Sequence, residues 1–158
     1  MRNLIIILAV LVLASCVGIP DELLKSKSAE YQFPISPSAE NTIVYLISPV
    51  AYQEPSAYQE IRVNGSSSKL YFGTYNSIKL THDATIQYRF NHISNLVEAG
   101  KWNQLNVIAN RRELFYVLKS GLLTQVTKDQ AITEIVTIEY RYCEYKPKPC
   151  EPKVYKAI

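Results

Sequence analysis

The sequence is poor in the residue types on which many catalytic and binding sites depend. It has five glycines, two histidines and three aspartates among 158 residues, and it contains no Gly-x-Ser-x-Gly segment, no Gly-rich phosphate-binding loop and no Cys-x-x-Cys pair. These absences exclude the usual motifs of serine hydrolases, nucleotide-binding proteins and zinc sites. The net charge of +3 is too small to indicate nucleic-acid binding. We therefore expect neither a cofactor, nor a bound metal, nor a nucleic-acid partner.

The first hydrophobic run leads into the most specific motif of the chain. Arg2 precedes an apolar run at residues 4–13, and the small residues Ala14 and Ser15 stand before Cys16, as in a secretory signal peptide. The run is shorter than the roughly 20 residues that a transmembrane helix needs. The alternative interpretation is an ordinary signal peptide with a chance cysteine near its cleavage site.

Leu13-Ala14-Ser15-Cys16 resembles the lipobox of bacterial lipoproteins. The resemblance implies removal of residues 1–15, a diacylglyceryl group on the Cys16 thiol and an acyl chain such as palmitate on the new amine. Two or more acyl chains form a stable anchor, so the membrane would be a partner through the lipid on Cys16 alone. Val17 stands where an aspartate favours the inner membrane of Gram-negative bacteria, which implies the outer membrane and a domain facing the periplasm.

Composition and periodicity predict a strand-rich domain behind a flexible tether. Residues 16–40 hold three prolines and no sustained periodicity, so we interpret them as the lipidated cysteine and a tether. Residues 41–158 contain about seven short alternating segments separated by turns, which predicts one all-β, antiparallel sandwich with one short helix. Segment 42–47 is apolar at nearly every position, which predicts a strand buried on both faces.

The last third of the chain gives a mixed signal. Thr127-x-x-Gln130 has the spacing of a capping box and predicts a turn of helix near residues 128–134. Residues 135–142 alternate between apolar and polar side chains, which predicts a long strand. We expect its partner strand at residues 153–156, folded back by the proline-rich loop between them.

Four short motifs follow one another in a fixed order. They are a Val-Tyr strand, an Asn-Gly turn, a Gly-x-Tyr turn and a Phe-Tyr-Val strand, at Val44-Tyr45, Asn64-Gly65, Gly73-Thr74-Tyr75 and Phe115-Tyr116-Val117. This order is similar to that of a family of small bacterial lipoproteins with a β-sandwich domain of unknown function. The resemblance implies the sandwich but supplies no activity. The Asn-Gly turn also predicts a two-residue hairpin by itself, because both of its positions need positive φ.

Cys143 and Cys150 bracket a loop with two prolines. If Cys16 carries lipid, they form an even pair in an oxidising compartment, which predicts a disulfide. A bridge that closes so short a loop contributes roughly 2.5 kcal/mol on the chain-entropy model. Two free thiols or half of a metal site are the alternatives, although neither histidine lies nearby in sequence.

Tyrosine is abundant, with 12 residues. Five of them form a candidate aromatic surface for a glycan or a peptide, namely Tyr71, Tyr75, Tyr140, Tyr142 and Tyr145. Half-buried packing in strands is the alternative, because tyrosine favours strands without any ligand.

His82-Asp83 is the one pair with the residue types of an acid–base site. No nucleophile motif accompanies it, so a turn between two strands is the simpler interpretation. The sequence therefore predicts a non-enzymatic envelope lipoprotein whose sandwich binds or scaffolds an envelope protein or polymer. The alternative is an envelope hydrolase or hydrolase inhibitor that acts through the His82-Asp83 region.

Overall fold

The computed structural model describes residues 19–35, 38, 40–49, 58–91, 100–110 and 112–144, with residues 91 and 141–144 described by their backbone alone. These residues form eight strands and two helices. In chain order the elements are α1 (Asp21–Glu30), β1 (Thr42–Ser48), β2 (Tyr58–Val63), β3 (Ser66–Tyr71), β4 (Thr74–Leu80), β5 (Ala84–Asn91), β6 (Asn103–Val107), β7 (Glu113–Lys119), β8 (Leu122–Val126) and α2 (Lys128–Glu144).

The strands form two four-stranded sheets. The central sheet has the strand order β4-β1-β7-β8, and the outer sheet has the order β3-β2-β5-β6. Neighbouring strands run antiparallel except β1 and β7, which run parallel. The predicted all-β sandwich is confirmed, with a parallel pair at the middle of the central sheet that alternation alone does not reveal.

The two sheets pack face to face around alternating side chains. Val44 and Leu46 of β1 meet Ile61 of β2 and Ile86 of β5, and all four are at most 1% exposed. Burial of each such side chain contributes about 1.5–3 kcal/mol. The other buried members of this core are Leu70, Ile78, Leu80, Tyr88, Val107, Tyr116, Leu118 and Leu123.

The opposite face of the central sheet is also covered, by α2 and residues 31–35. Its cluster of buried residues comprises Ile43, Tyr45, Ile47, Tyr75, Phe115, Val117, Ala131, Ile135 and Ile138. As a result, all seven positions of β1 are buried. The prediction that this strand is buried on both faces is confirmed.

The Asn64-Gly65 hairpin is confirmed. These two residues join β2 to β3 with φ values of 49° and 83°. Two successive positive φ values give the turn a twist that matches the right-handed twist of the flanking strands. The register that follows pairs Val63 with Ser66 and continues to Tyr58 and Tyr71.

The strand predicted for residues 135–142 is wrong, because these residues belong to α2. The capping box that starts this helix is confirmed. The Gln130 N–H donates to Thr127 Oγ1 at 3.3 Å, and the Thr127 N–H donates to Gln130 Oε1 at 3.1 Å. With a helix here, the strand predicted at residues 153–156 loses the partner we assigned to it, and it lies outside the described residues.

The strand prediction failed because the apolar residues of this segment fit both the two-residue period of a strand and the 3.6-residue period of a helix. Val136, Ile138 and Tyr140 alternate as in a strand, but Ala131, Ile135 and Ile138 also share one helical face. That face covers the central sheet, and Ala131 and Ile135 are fully buried there. Packing of an amphipathic face outweighs the weak strand preference of β-branched residues.

The prediction of a tether at residues 16–40 is wrong for residues 21–35. Asp21 and Glu22 lie in the first turn of α1, where negative charge stabilises the helix dipole. The segment after α1 then packs on the central sheet, and the Phe33 ring lies 4.4 Å from that of Tyr45 and 4.9 Å from that of Phe115. The prolines that suggested a linker do not prevent an extended segment from docking.

Hydrogen bonds hold the same segment at both of its ends. The Tyr31 hydroxyl donates to the Tyr75 hydroxyl oxygen at 3.0 Å, and the Tyr45 hydroxyl donates to the Ile35 carbonyl at 2.6 Å. Burial raises the pKa of Tyr45 to about 12 and that of Tyr31 still further. Both phenols therefore stay neutral, as donors in an apolar setting must.

Candidate binding surface on the outer sheet

The outer sheet turns one face toward the core and presents polar and aromatic side chains on the other. Because Ile61 and Ile86 point into the core, strand alternation directs Glu60 and Arg62 of β2 and Arg89 of β5 to the opposite side. The register places Glu60 directly opposite Arg89.

Glu60 binds two arginines. Its Oε1 accepts from Arg62 Nη2 at 2.9 Å, and its Oε2 accepts from Arg89 Nε at 2.9 Å and lies 2.8 Å from Arg89 Nη2. The Glu60 side chain is 17% exposed, against 26% for Arg89 and 45% for Arg62. The carboxylate is thus enclosed, while the guanidinium groups extend toward the surface.

The two arginines also share one aromatic ring. The Arg62 guanidinium carbon lies 4.3 Å from the centroid of Trp102, and that of Arg89 lies 4.5 Å from it. Each such contact contributes about 0.5–1 kcal/mol at a partly exposed site. Carboxylate and ring together fix the direction of both guanidinium groups.

The pKa of Glu60 reflects this environment. Burial acts to raise it, but the hydrogen bonds and positive charges of Arg89 and Arg62 outweigh burial, so the pKa of the carboxyl lies below its ordinary value. Glu60 is therefore ionised at neutral pH.

On β2 and β3 the same face carries a second contact between a cation and an aromatic ring, formed by Lys69 and two tyrosines. The rings of Tyr58 and Tyr71 face each other across β2 and β3 with centroids 5.5 Å apart, and Lys69 Nζ lies 4.6 Å from the centroid of Tyr58. We use the name basic aromatic face for Glu60, Arg62, Lys69, Tyr71, Arg89 and Trp102, while Tyr58 is only 9% exposed and lies as a buried ring against Lys69. The face carries three cations and one carboxylate.

The five tyrosines predicted as an aromatic surface are not brought together by the described residues. Tyr71 lies on the outer sheet, whereas Tyr75 is 6% exposed and lies beneath α2 on the central sheet. Its core position overturns the prediction for Tyr75, because β4 belongs to the other sheet. Tyr140 lies half-buried on α2, and the side chains of Tyr142 and Tyr145 lie outside the described part.

His82 and Asp83 form the turn between β4 and β5. Asp83 Oδ1 accepts from the Ala109 N–H at 2.7 Å, and His82 Nδ1 lies 2.9 Å from Thr81 Oγ1. The carboxylate thereby ties this turn to the end of β6. Both residues are exposed, and the contacts support the interpretation of a turn pair.

The cysteine predictions fall largely outside the described residues. Cys16 and Cys150 are not described, and Cys143 lies in the last turn of α2, described by its backbone only. The disulfide stays a prediction. Within the described ranges, no helix combines the length and apolarity needed to cross a membrane, and no cluster of three or more His, Cys, Asp and Glu side chains suited to a metal ion occurs.

Sequence reasoning missed the arginines and the tryptophan of this face. The signal was present in Glu60-Ile61-Arg62, where two charged residues flank an apolar one just before the Asn-Gly turn. Arg89 stands at the equivalent outward position of β5. Trp102 follows a stretch without clear periodicity, so only the fold brings it to the two arginines.

No protein-family model matches the chain, and comparison with curated proteins and with solved structures gives no match either.

Proposed function

We propose that this protein is a bacterial envelope lipoprotein, anchored by lipid on Cys16, whose sandwich domain is non-enzymatic and binds or scaffolds an envelope partner. The observation that carries the proposal is Leu13-Ala14-Ser15-Cys16 at the end of an apolar run of signal-peptide length. All four positions fit the lipobox, and the run follows a basic residue near the N-terminus.

Lipid chemistry gives this motif a physical consequence. Each buried CH₂ contributes about 0.8 kcal/mol, so a diacylglyceryl group with an acylated amine holds the chain on a bilayer without a transmembrane helix. Val17 favours the outer membrane, with the domain facing the periplasm. In that compartment a Cys143–Cys150 disulfide is chemically stable.

A binding role for the domain is supported by the basic aromatic face. Its arginines lie on β2 and β5 and are fixed by ion pairs to Glu60 and by contacts with the Trp102 ring, and groups on strands are held more rigidly than groups on loops. Rigid side chains lose little conformational entropy when a ligand binds. The one carboxylate of this face, Glu60, is paired with two arginines that lower its pKa, and both of its oxygens accept hydrogen bonds from them.

The deciding experiment is intact mass spectrometry of the protein purified from membranes, beside Cys16→Ala. We expect the wild-type mass to equal residues 16–158 plus lipid, and Cys16→Ala to lose both the lipid and membrane attachment. Cys143→Ser is the matched control, because it also removes one thiol but should keep the lipid. A wild-type chain that is cleaved but carries no lipid would refute the anchor.

The same spectra test the disulfide. A mass lower by two hydrogens before reduction than after it would establish the bridge, and Cys143→Ser should show no such difference. Two free thiols in freshly purified protein would contradict it.

A further inference from the structure

We propose that the basic aromatic face binds an anionic glycan, a polymer of sugars that carry carboxylate groups. The proposal rests on the proposed function, since it names the partner class of that domain. Its test uses binding in solution, so the lipid anchor and the glycan site can fail independently of each other.

The charge of the face selects an anion. Among the described residues of this face, Arg62, Lys69 and Arg89 stand against one carboxylate, that of Glu60, which is already enclosed by two arginines. Arg62 is 45% exposed and has five N–H donors in a planar fork, which matches the two oxygens of a carboxylate. Trp102 holds the guanidinium from one side, so the fork is oriented before a ligand arrives.

The other outward side chains of the outer sheet carry amides and hydroxyls, which favour a ligand rich in hydroxyl groups. The outward positions of the four strands hold no aliphatic residue. Besides the basic aromatic face and Tyr58, the described side chains at these positions are Ser67, Thr85, Gln87, Gln104 and Asn106. Amides and hydroxyls donate and accept hydrogen bonds at once, as sugar hydroxyls do. Aromatic rings and arginines also occur at protein interfaces, and for that reason the test below includes an acidic peptide.

The register arranges these groups in a row. Arg62 lies opposite Gln87, and Gln87 lies opposite Gln104, so the row crosses β2, β5 and β6. Neighbouring strands are about 4.8 Å apart, so the row extends about 10 Å from Arg62 to Gln104. That length suits an extended polymer that contacts several side chains with successive sugar units.

The position of the face favours a glycan over lipid headgroups. Residues 31–35 and α2 cover the far side of the central sheet, and α1 packs against α2. The described part of the chain therefore begins on the helix side, whereas the basic aromatic face lies on the opposite side of the sandwich. An anchored molecule can direct this face away from its own bilayer.

The protein supplies its own probe for the test, because Trp102 is the only tryptophan. The full chain in detergent is titrated with polygalacturonate while tryptophan fluorescence is recorded. We expect a saturable change in Trp102 emission that weakens as salt is added. Arg62→Gln and Arg89→Gln should each weaken binding about tenfold, since each removes one charge-assisted hydrogen-bonding group.

Two further variants separate a ligand site from a structural cluster. Lys79→Gln removes an exposed charge from the central sheet and should leave binding unchanged. Glu60→Gln removes the carboxylate that fixes the direction of both guanidinium groups, so binding should weaken several-fold although the face becomes more positive. Arg62→Lys keeps the charge without the fork and should fall between wild type and Arg62→Gln. Circular dichroism of every variant checks that it is folded.

Each of the following outcomes would overturn the proposal. The first is the absence of any fluorescence response to polygalacturonate, and the second is equal binding of methyl-esterified polygalacturonate, which lacks the charge. Equal affinity for polyglutamate would point to an acidic peptide, and equal affinity for glycerophosphoglycerol, the soluble headgroup of phosphatidylglycerol, would point to a lipid surface. Equal weakening by Lys79→Gln and Arg62→Gln would show attraction by net charge alone.

Discussion

Glu60 is the residue on which the geometry of the basic aromatic face depends. Its folded pKa is lowered from the ordinary value of 4.5, so its contribution to stability is fully present above that value and is lost as pH falls through the folded pKa. We expect Glu60→Gln to lower the free energy of unfolding by roughly 1–2 kcal/mol at neutral pH. The difference from wild type should shrink in acid. Urea unfolding at a series of pH values measures it.

Glu139 on α2 is the carboxyl to compare with Glu60, because its pKa is shifted in the opposite direction. Burial raises its folded pKa above 4.5, so the folded state holds the proton more tightly than the unfolded chain. Stability is then lost as pH rises from 4.5 through the raised pKa. Glu139→Gln should be more stable than wild type at neutral pH and equal to it in acid. A Glu139→Gln variant that is less stable at neutral pH would contradict this account.

Among the elements, α2 is where propensity and packing disagree most. Thr127→Ala removes the capping hydroxyl and should cost about 1 kcal/mol. Thr137 lies in the segment that alternation predicts as a strand, and its hydroxyl donates to the Thr133 carbonyl one turn earlier. Thr137→Ala removes this hydrogen bond. In a helix this change should stabilise by a few tenths of a kcal/mol, whereas in a strand it would destabilise. Thermal unfolding of the two variants separates these cases.

The elements also show how far local sequence determines this fold. β1 and the Asn64-Gly65 hairpin were predictable, because burial on both faces and paired positive φ values leave direct local signals. The docking of Tyr31 and Phe33 was not predictable, because it depends on a surface built from β1, β4 and β7. The Arg62–Trp102 contact likewise joins β2 to the residue just before β6, and β5 lies between these two strands.

At the scale of the whole molecule, three layers follow one another: helices, central sheet and outer sheet. Successive layers lie about 10 Å apart. Four residues separate Cys16 from Asp21, where α1 begins, and an extended chain of that length spans at most about 18 Å. If Cys16 carries the lipid, the sandwich is therefore held close to the bilayer with its helix layer nearer.

This arrangement predicts a difference in distance from the membrane between two positions. In vesicles with a nitroxide quencher on the lipid headgroup, Trp102 should be quenched weakly. A tryptophan moved to α1 by Leu23→Trp with Trp102→Phe should be quenched strongly, because Leu23 is partly exposed and close to the anchor. A flexible Gly-Ser spacer inserted after Val17 is the control, and it should reduce quenching at position 23. Equal quenching at both positions without the spacer would mean that the basic aromatic face turns toward the bilayer as often as away from it.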